Sequence, residues 1–167
     1  MGHLEHKSAA PKSVKCAVIT VSDSRTPDTD DSGKILIKLL ESGSHKIVHY
    51  SLVKDDEDKI RAAVEALKET GEVQVLVING GTGLSSRDRT PEAVLPLMNK
   101  EIEGFGELFR YLSYLDVGSP ALLSRARAGV VGSMVTFLLP GSPKAAGLAM
   151  EKLILPEISH LVFEVTR

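Results

Sequence analysis

The sequence predicts an α/β fold: a three-layer α/β/α sandwich around a mostly parallel, Rossmann-like central sheet. Apolar runs of strand length alternate with segments of helical spacing, the pattern of successive βαβ units. The run Cys16–Val21 is apolar on both faces except at Thr20, as a strand buried between two helical layers requires. A second apolar run, in Val73–Asn79, stops at Gly80-Gly81-Thr82-Gly83. That is a glycine-rich loop at the carboxyl end of a strand, where open α/β sheets bind their ligands.

Taken in order, Val14–Val21 is the first expected strand. Ile35, Leu36, Leu39 and Leu40 then follow helical spacing, with caps among Asp30 to Ser32 and an end at Gly43. His45–Val53 is the second strand. Ile60, Ala63, Val64 and Leu67 mark one face of the next helix, which starts in the acidic run Asp55–Asp58 and stops at Gly71. Acidic residues suit the positive end of a helix dipole, so capping accounts for much of that run. Val73–Asn79 is the third strand. The next helix starts at Thr90, whose hydroxyl is expected to cap it, with Pro91 in the first turn and Pro96 ending it early. Phe105, Leu108, Phe109 and Leu112 form another apolar face, and Tyr111, Tyr114 and Leu115 leave surplus apolar surface that suits either a subunit interface or further core. Ala128–Val131 and Met134–Leu139 read as strands joined at Gly132-Ser133. Met150, Leu153 and Ile154 line a helix, and Ile158, Leu161, Val162 and Val165 a final one beyond Pro156.

Composition excludes several function classes. The chain of 167 residues suits one domain, residues 14–167, preceded by a mobile leader over residues 1–13 whose His3 and His6 are better read as solvated than as metal ligands. One cysteine, Cys16, builds neither a disulfide framework nor a Cys/His metal site, and reads as a small buried hydrophobe. A net charge of −2 argues against nucleic-acid binding. No long apolar span or signal-peptide pattern is present, so no membrane is expected and the location should be cytoplasmic.

Four loops follow strands and should share one rim of the sheet: Ser22–Arg25, Lys54–Asp56, the glycine loop with Arg87-Asp88, and Pro140–Lys144. They gather carboxylates, hydroxyls, open backbone and cations, a mixture suited to a phosphorylated ligand with Mg²⁺. That ion takes one or two protein carboxylates and completes its shell with water and phosphate oxygens. Asp55 and Asp88 are the candidate ligands. Neither a P-loop nor Gly-x-Gly-x-x-Gly is present. No histidine falls near these loops except His45, at a strand start, so a Ser-His-Asp triad is not expected.

The blocks Asn79–Gly83, Arg87–Glu92, Gly104–Glu107, Leu123–Arg125 and Leu139–Pro143 occur in an order that resembles the MogA/MoaB family of molybdenum-cofactor biosynthesis proteins, from about Val14 to the C-terminus. The segment Gly104–Arg110 and the ending Pro140-Gly141-Ser142-Pro143 look like the MoaB branch. That resemblance implies a molybdopterin adenylyltransferase using ATP and Mg²⁺, with Asp55 and Asp88 as the family's two essential aspartates, catalytic and metal-holding. It implies substrate binding by Ser22, Asp23, Asn79, Gly80, Gly81, Thr82, Gly83, Thr90, Ser124, Pro140, Gly141, Ser142, Pro143 and Lys144. Some MoaB proteins lack the aspartates and have no settled activity, so the alternative is a pterin-binding or assembly protein without catalysis. This chain keeps both aspartates. It departs from the MogA pattern at Arg89, where that pattern prefers an apolar residue. The resemblance also implies a homotrimer or homohexamer, and leaves other proteins of cofactor biosynthesis open as partners.

Overall fold

The computed structural model describes residues 10–167; the stretch 1–9, with His3, His6 and most of the expected leader, lies outside the described residues. Along β1 (Lys15–Val21), Cys16 and Val18 face one helical layer while Ala17, Ile19 and Val21 face the other. β3 (Val75–Asn79) divides the same way, Val75 and Val77 against Leu76 and Ile78. This two-sided burial places both strands at the centre of the sheet. The remaining strands are β2 (Lys46–Val53), β4 (Lys100–Glu101), β5 (Arg127–Val131) and β6 (Met134–Leu139). The six form one sheet in the order β2-β1-β3-β6-β5-β4. β2, β1, β3 and β6 run parallel; β5 is antiparallel to β6, and β4 to β5.

One layer holds α1 (Asp31–Ser42), α4 (Glu103–Val117), α5 (Pro143–Ala149) and α6 (Leu155–Thr166), packed through Leu36, Leu40, Phe109, Ala146 and Ile158. The opposite layer holds α2 (Glu57–Thr70) and the short α3 (Thr90–Val94), through Ile60, Val64 and Val94. Truncating a fully buried leucine such as Leu36 or Leu40 to alanine costs about 2–5 kcal/mol, because the cavity it leaves closes only in part. The Asp30 side chain caps α1 by accepting from Gly33 N, Asp56 caps α2 by accepting from Lys59 N, and Gly71 closes α2 in the left-handed conformation. Cys16 is buried, and that burial pushes its thiol up to about 12, far from reactivity. Among the described residues no helix is long and apolar enough to cross a membrane.

Several local expectations are corrected. Thr90 does not cap α3: its hydroxyl donates to Gly80 O at 2.8 Å, and Arg89 occupies the cap position without a side-chain bond. The third strand starts at Val75 rather than Val73. The exposed strand β4 was not expected. Pro156 does not separate two helices. A π-helical turn, Met150–Ile154, joins α5 to α6, and Pro156 falls in the first turn of α6, where proline is tolerated. On α4, Phe105 and Phe109 are buried, but Leu108 stands 54% exposed.

Candidate functional site

β1 connects to β2 through α1 on one face, and β2 returns through α2 on the other face to β3, on the far side of β1. The strand order therefore reverses between β1 and β3, and a crevice opens beyond their carboxyl ends. It is a cavity of about 580 Å³. Its walls come from the turns after all four parallel strands: Ser22–Arg25 after β1, Asp55 after β2, Gly80–Gly83 after β3, and Pro140-Gly141 after β6. Arg87, Asp88, Leu123 and Ser124 complete it.

The glycine loop is held by close packing. Gly80 has φ +99°, and a Cβ there would stand 2.2 Å from Val21 O. Gly81 has φ +66°, and a Cβ would meet Thr90 Oγ1 at 2.3 Å and the Asp55 carboxylate at 3.1–3.2 Å. Side chains are thus excluded at both positions, and the backbone itself lines the crevice. Asp88 approaches the same loop from the other end, its Oδ2 2.8 Å from where a Cβ of Gly83 would lie. Asp55 and Asp88 therefore flank one loop in one hollow.

Asp55 is braced. Its backbone N–H donates to Asp23 Oδ1 at 3.1 Å, and its own Oδ1 accepts from Arg89 N at 3.1 Å. Burial raises its carboxyl above the usual range; the Arg89 N–H opposes this, and the nearby carboxylates of Asp88, Asp23 and Glu92 add to it. A group of carboxylates that repel one another favours a bound cation, which removes the repulsion. Among the described residues, no three or more His, Cys, Asp and Glu are gathered to hold a metal by themselves. The hard oxygens of Asp55 and Asp88 fit Mg²⁺ shared with a phosphate, which needs only one or two carboxylates. Cationic groups adjoin Asp23 on the same rim: Arg87 lies 3.9 Å from its carboxylate, and Lys54 donates to Asp23 O.

Other expected site residues stand behind the wall. Asn79 is fully buried and donates to Thr20 Oγ1 at 2.8 Å, while its Oδ1 accepts from Ser32 at 2.7 Å. Thr90, also buried, props Gly80. Ser142 caps α5 by accepting from Ala145 N, and Pro143 is its first residue. Lys144 does not line this cavity: it pairs with Asp116 at 2.9 Å beside a separate hollow between α1 and α5. Two arginines went unassigned in the sequence. Arg25 lines the cavity, donating to Ser32 Oγ at 2.7 Å and to Gly141 O at 2.8 Å, which joins the first and last loops. Arg125 bonds to Gly83 O and Asp88 O. Arg25 stands out in the sequence only as part of its loop, because its partner Gly141 is 116 positions away. Arg125 was visible only as a member of the Leu123–Arg125 block. Among the described residues lining the cavity there is no histidine.

Fold and site together define an α/β domain with a crevice at the carboxyl ends of its parallel strands, whose rim has the chemistry to suit an anionic ligand accompanied by a cation. A family model described as "Probable molybdopterin binding domain" matches residues 17–160. The chain is 52% identical over 168 residues to molybdenum cofactor biosynthesis protein B of Bacillus cereus, covering 100% of this chain and 99% of that one. A crystal structure of a molybdenum cofactor biosynthesis protein B superposes with TM-score 0.90 at 53% identity, over 93% of this chain and 98% of the other. The tungsten cofactor synthesizing protein MoaB from Pyrococcus furiosus gives TM-score 0.85 at 36% identity, over 95% and 100%. The chain belongs to this molybdenum-cofactor biosynthesis family of molybdopterin-binding domains.

Proposed function

We propose that the chain is a molybdopterin adenylyltransferase. The terminal phosphate of molybdopterin attacks the α-phosphorus of ATP; an oxygen–phosphorus bond forms there as the bond to the β-bridging oxygen breaks, and pyrophosphate leaves. The observation that carries this reading is the placement of Asp55 and Asp88 on either side of one glycine loop in a single cavity. Such a reaction asks a protein mainly for positioning and charge neutralisation. The backbone of Gly81–Gly83, which lines the cavity, binds phosphate oxygens, and Arg25 and Arg87 supply positive charge along the same wall. Asp23 fixes the Asp55 backbone. Asp88 and Asp55 would hold Mg²⁺, which when bound offsets charge on the triphosphate.

The experiment is pyrophosphate release from ATP with Mg²⁺ and molybdopterin. Release that depends on all three supports adenylyl transfer. Molybdopterin bound without release would replace it with the non-catalytic reading, a pterin-binding or assembly protein.

A further inference from the structure

One guanidinium holds both ends of the turn that carries Asp88. Arg125 follows a 3₁₀ turn, Ser119–Leu123, and precedes β5; its side chain is 29% exposed. Its Nε donates to Gly83 O at 2.9 Å and its Nη2 to Asp88 O at 3.0 Å. The four residues between those carbonyls, Leu84 to Arg87, are all exposed. Within the turn Asp88 Oδ2 accepts from Ser85 N at 2.9 Å, and Asp88 N donates to Ser85 O at 2.9 Å. The turn is therefore closed on itself, and Arg125 fixes it to the body of the domain.

The other edge of the guanidinium meets Glu92 on α3, Nη1 to Oε1 at 2.5 Å and Nη2 to Oε2 at 3.4 Å. The Arg125 backbone N–H donates to Thr82 O at 3.3 Å. Arginine's planar fork of five donors serves two carbonyls and a carboxylate at once; lysine, a point charge on a flexible stem, does not.

We propose that Arg125, oriented by Glu92, is a positioning residue that keeps the Asp88 carboxylate over the glycine loop. Its effect on rate rests on the adenylyl-transfer reading, whereas its effect on the turn does not. Supporting groups of this kind change activity by about 10- to 100-fold when lost.

The test compares wild type, Arg125→Lys and Glu92→Gln, with Arg127→Lys as control, since Arg127 pairs with Glu101 on the surface. Arg125→Lys should lower kcat for pyrophosphate release about 10- to 100-fold, change KM for ATP less than about threefold, and speed amide exchange across residues 84–88. Glu92→Gln should move the same quantities less, and the control none. A purely structural role predicts a lower melting temperature with kcat and the 84–88 exchange unmoved, and that result overturns the proposal. If wild type releases no pyrophosphate, adenylyl transfer fails by itself and amide exchange decides the role of Arg125: exchange at the wild-type rate in Arg125→Lys overturns it, faster exchange confined to the turn upholds it.

Discussion

Arg89 and Asp55 meet through the main chain: the Arg89 N–H donates to Asp55 Oδ1 at 3.1 Å, while its guanidinium turns away to Glu57 at 2.5 Å. The residue at which the chain departs from the MogA pattern thus contributes its backbone to the site and its charge to the start of α2. The Glu57 carboxyl lies below its usual range because Arg89, and then Arg61, donate to it.

An Arg89→Leu protein should therefore keep the bond to Asp55, which any residue except proline supplies. We expect pyrophosphate release within a few-fold of wild type and little change in melting temperature, because an ion pair that solvent reaches on both sides contributes little. A loss of several hundred-fold would mean that the side chain acts in the cavity.

Replacing the aspartates should be far more severe. Asp88→Ala and Asp55→Ala should each lower the rate of adenylyl transfer by about two to four orders of magnitude, if the carboxylates support charge in the transition state. Circular dichroism should show the fold retained, since neither side chain belongs to the core. Near-normal turnover in Asp88→Ala would remove Asp88 from the mechanism.

Asp30 predicts an acid-dependent contribution to stability. It is fully buried; burial pushes its carboxyl up, but hydrogen bonds from Thr20, Tyr50, Gly33 and Ser32 outweigh that and hold it below the ordinary range. A carboxyl depressed in the folded state stabilises the protein above its unfolded pKa of about 3.9, and that contribution is lost as pH falls through the lower folded value. At pH 7, Asp30→Asn should cost about 1–3 kcal/mol in urea unfolding. The gap to wild type should narrow below about pH 4. A gap independent of pH would show that the charge contributes nothing.

The outer face of α4 exposes Leu108, Tyr111, Tyr114 and Leu115, each more than half accessible. Contiguous apolar surface of this kind marks a contact site. We expect sedimentation velocity to give a trimer or hexamer, and Tyr111→Glu with Leu115→Glu to shift it to smaller species. A wild-type chain sedimenting as a monomer would refute this.

The layered architecture was legible because periodicity reports burial directly: two-sided apolar runs in β1 and β3, one-sided spacing in α1 and α2. The rim loops were legible for the same reason, since each follows a recognisable strand. What stayed hidden depended on contacts distant in sequence. Thr90 looks like a helix cap until Gly80 O arrives from ten residues earlier. Lys144 looks like a rim residue because it adjoins Pro140-Gly141, but Ser142 caps α5 and the helix carries the lysine round to Asp116. The strand β4 consists of two exposed charged residues, Lys100 and Glu101, and no periodicity can announce it. Arg25 and Arg125 reach carbonyl oxygens, which every residue possesses, so neither the first loop nor the Leu123–Arg125 block announces what its arginine holds.

Every turn around the crevice lies at one end of the parallel strands, and the junction Gly71-Glu72 lies at the other, fully open, with nothing within 4 Å of a Cβ built on Gly71. Peptide inserted there, or new termini cut there, would leave the ligand-facing geometry intact. At this junction the chain could carry a tag or a fused module without touching the turns that line the crevice.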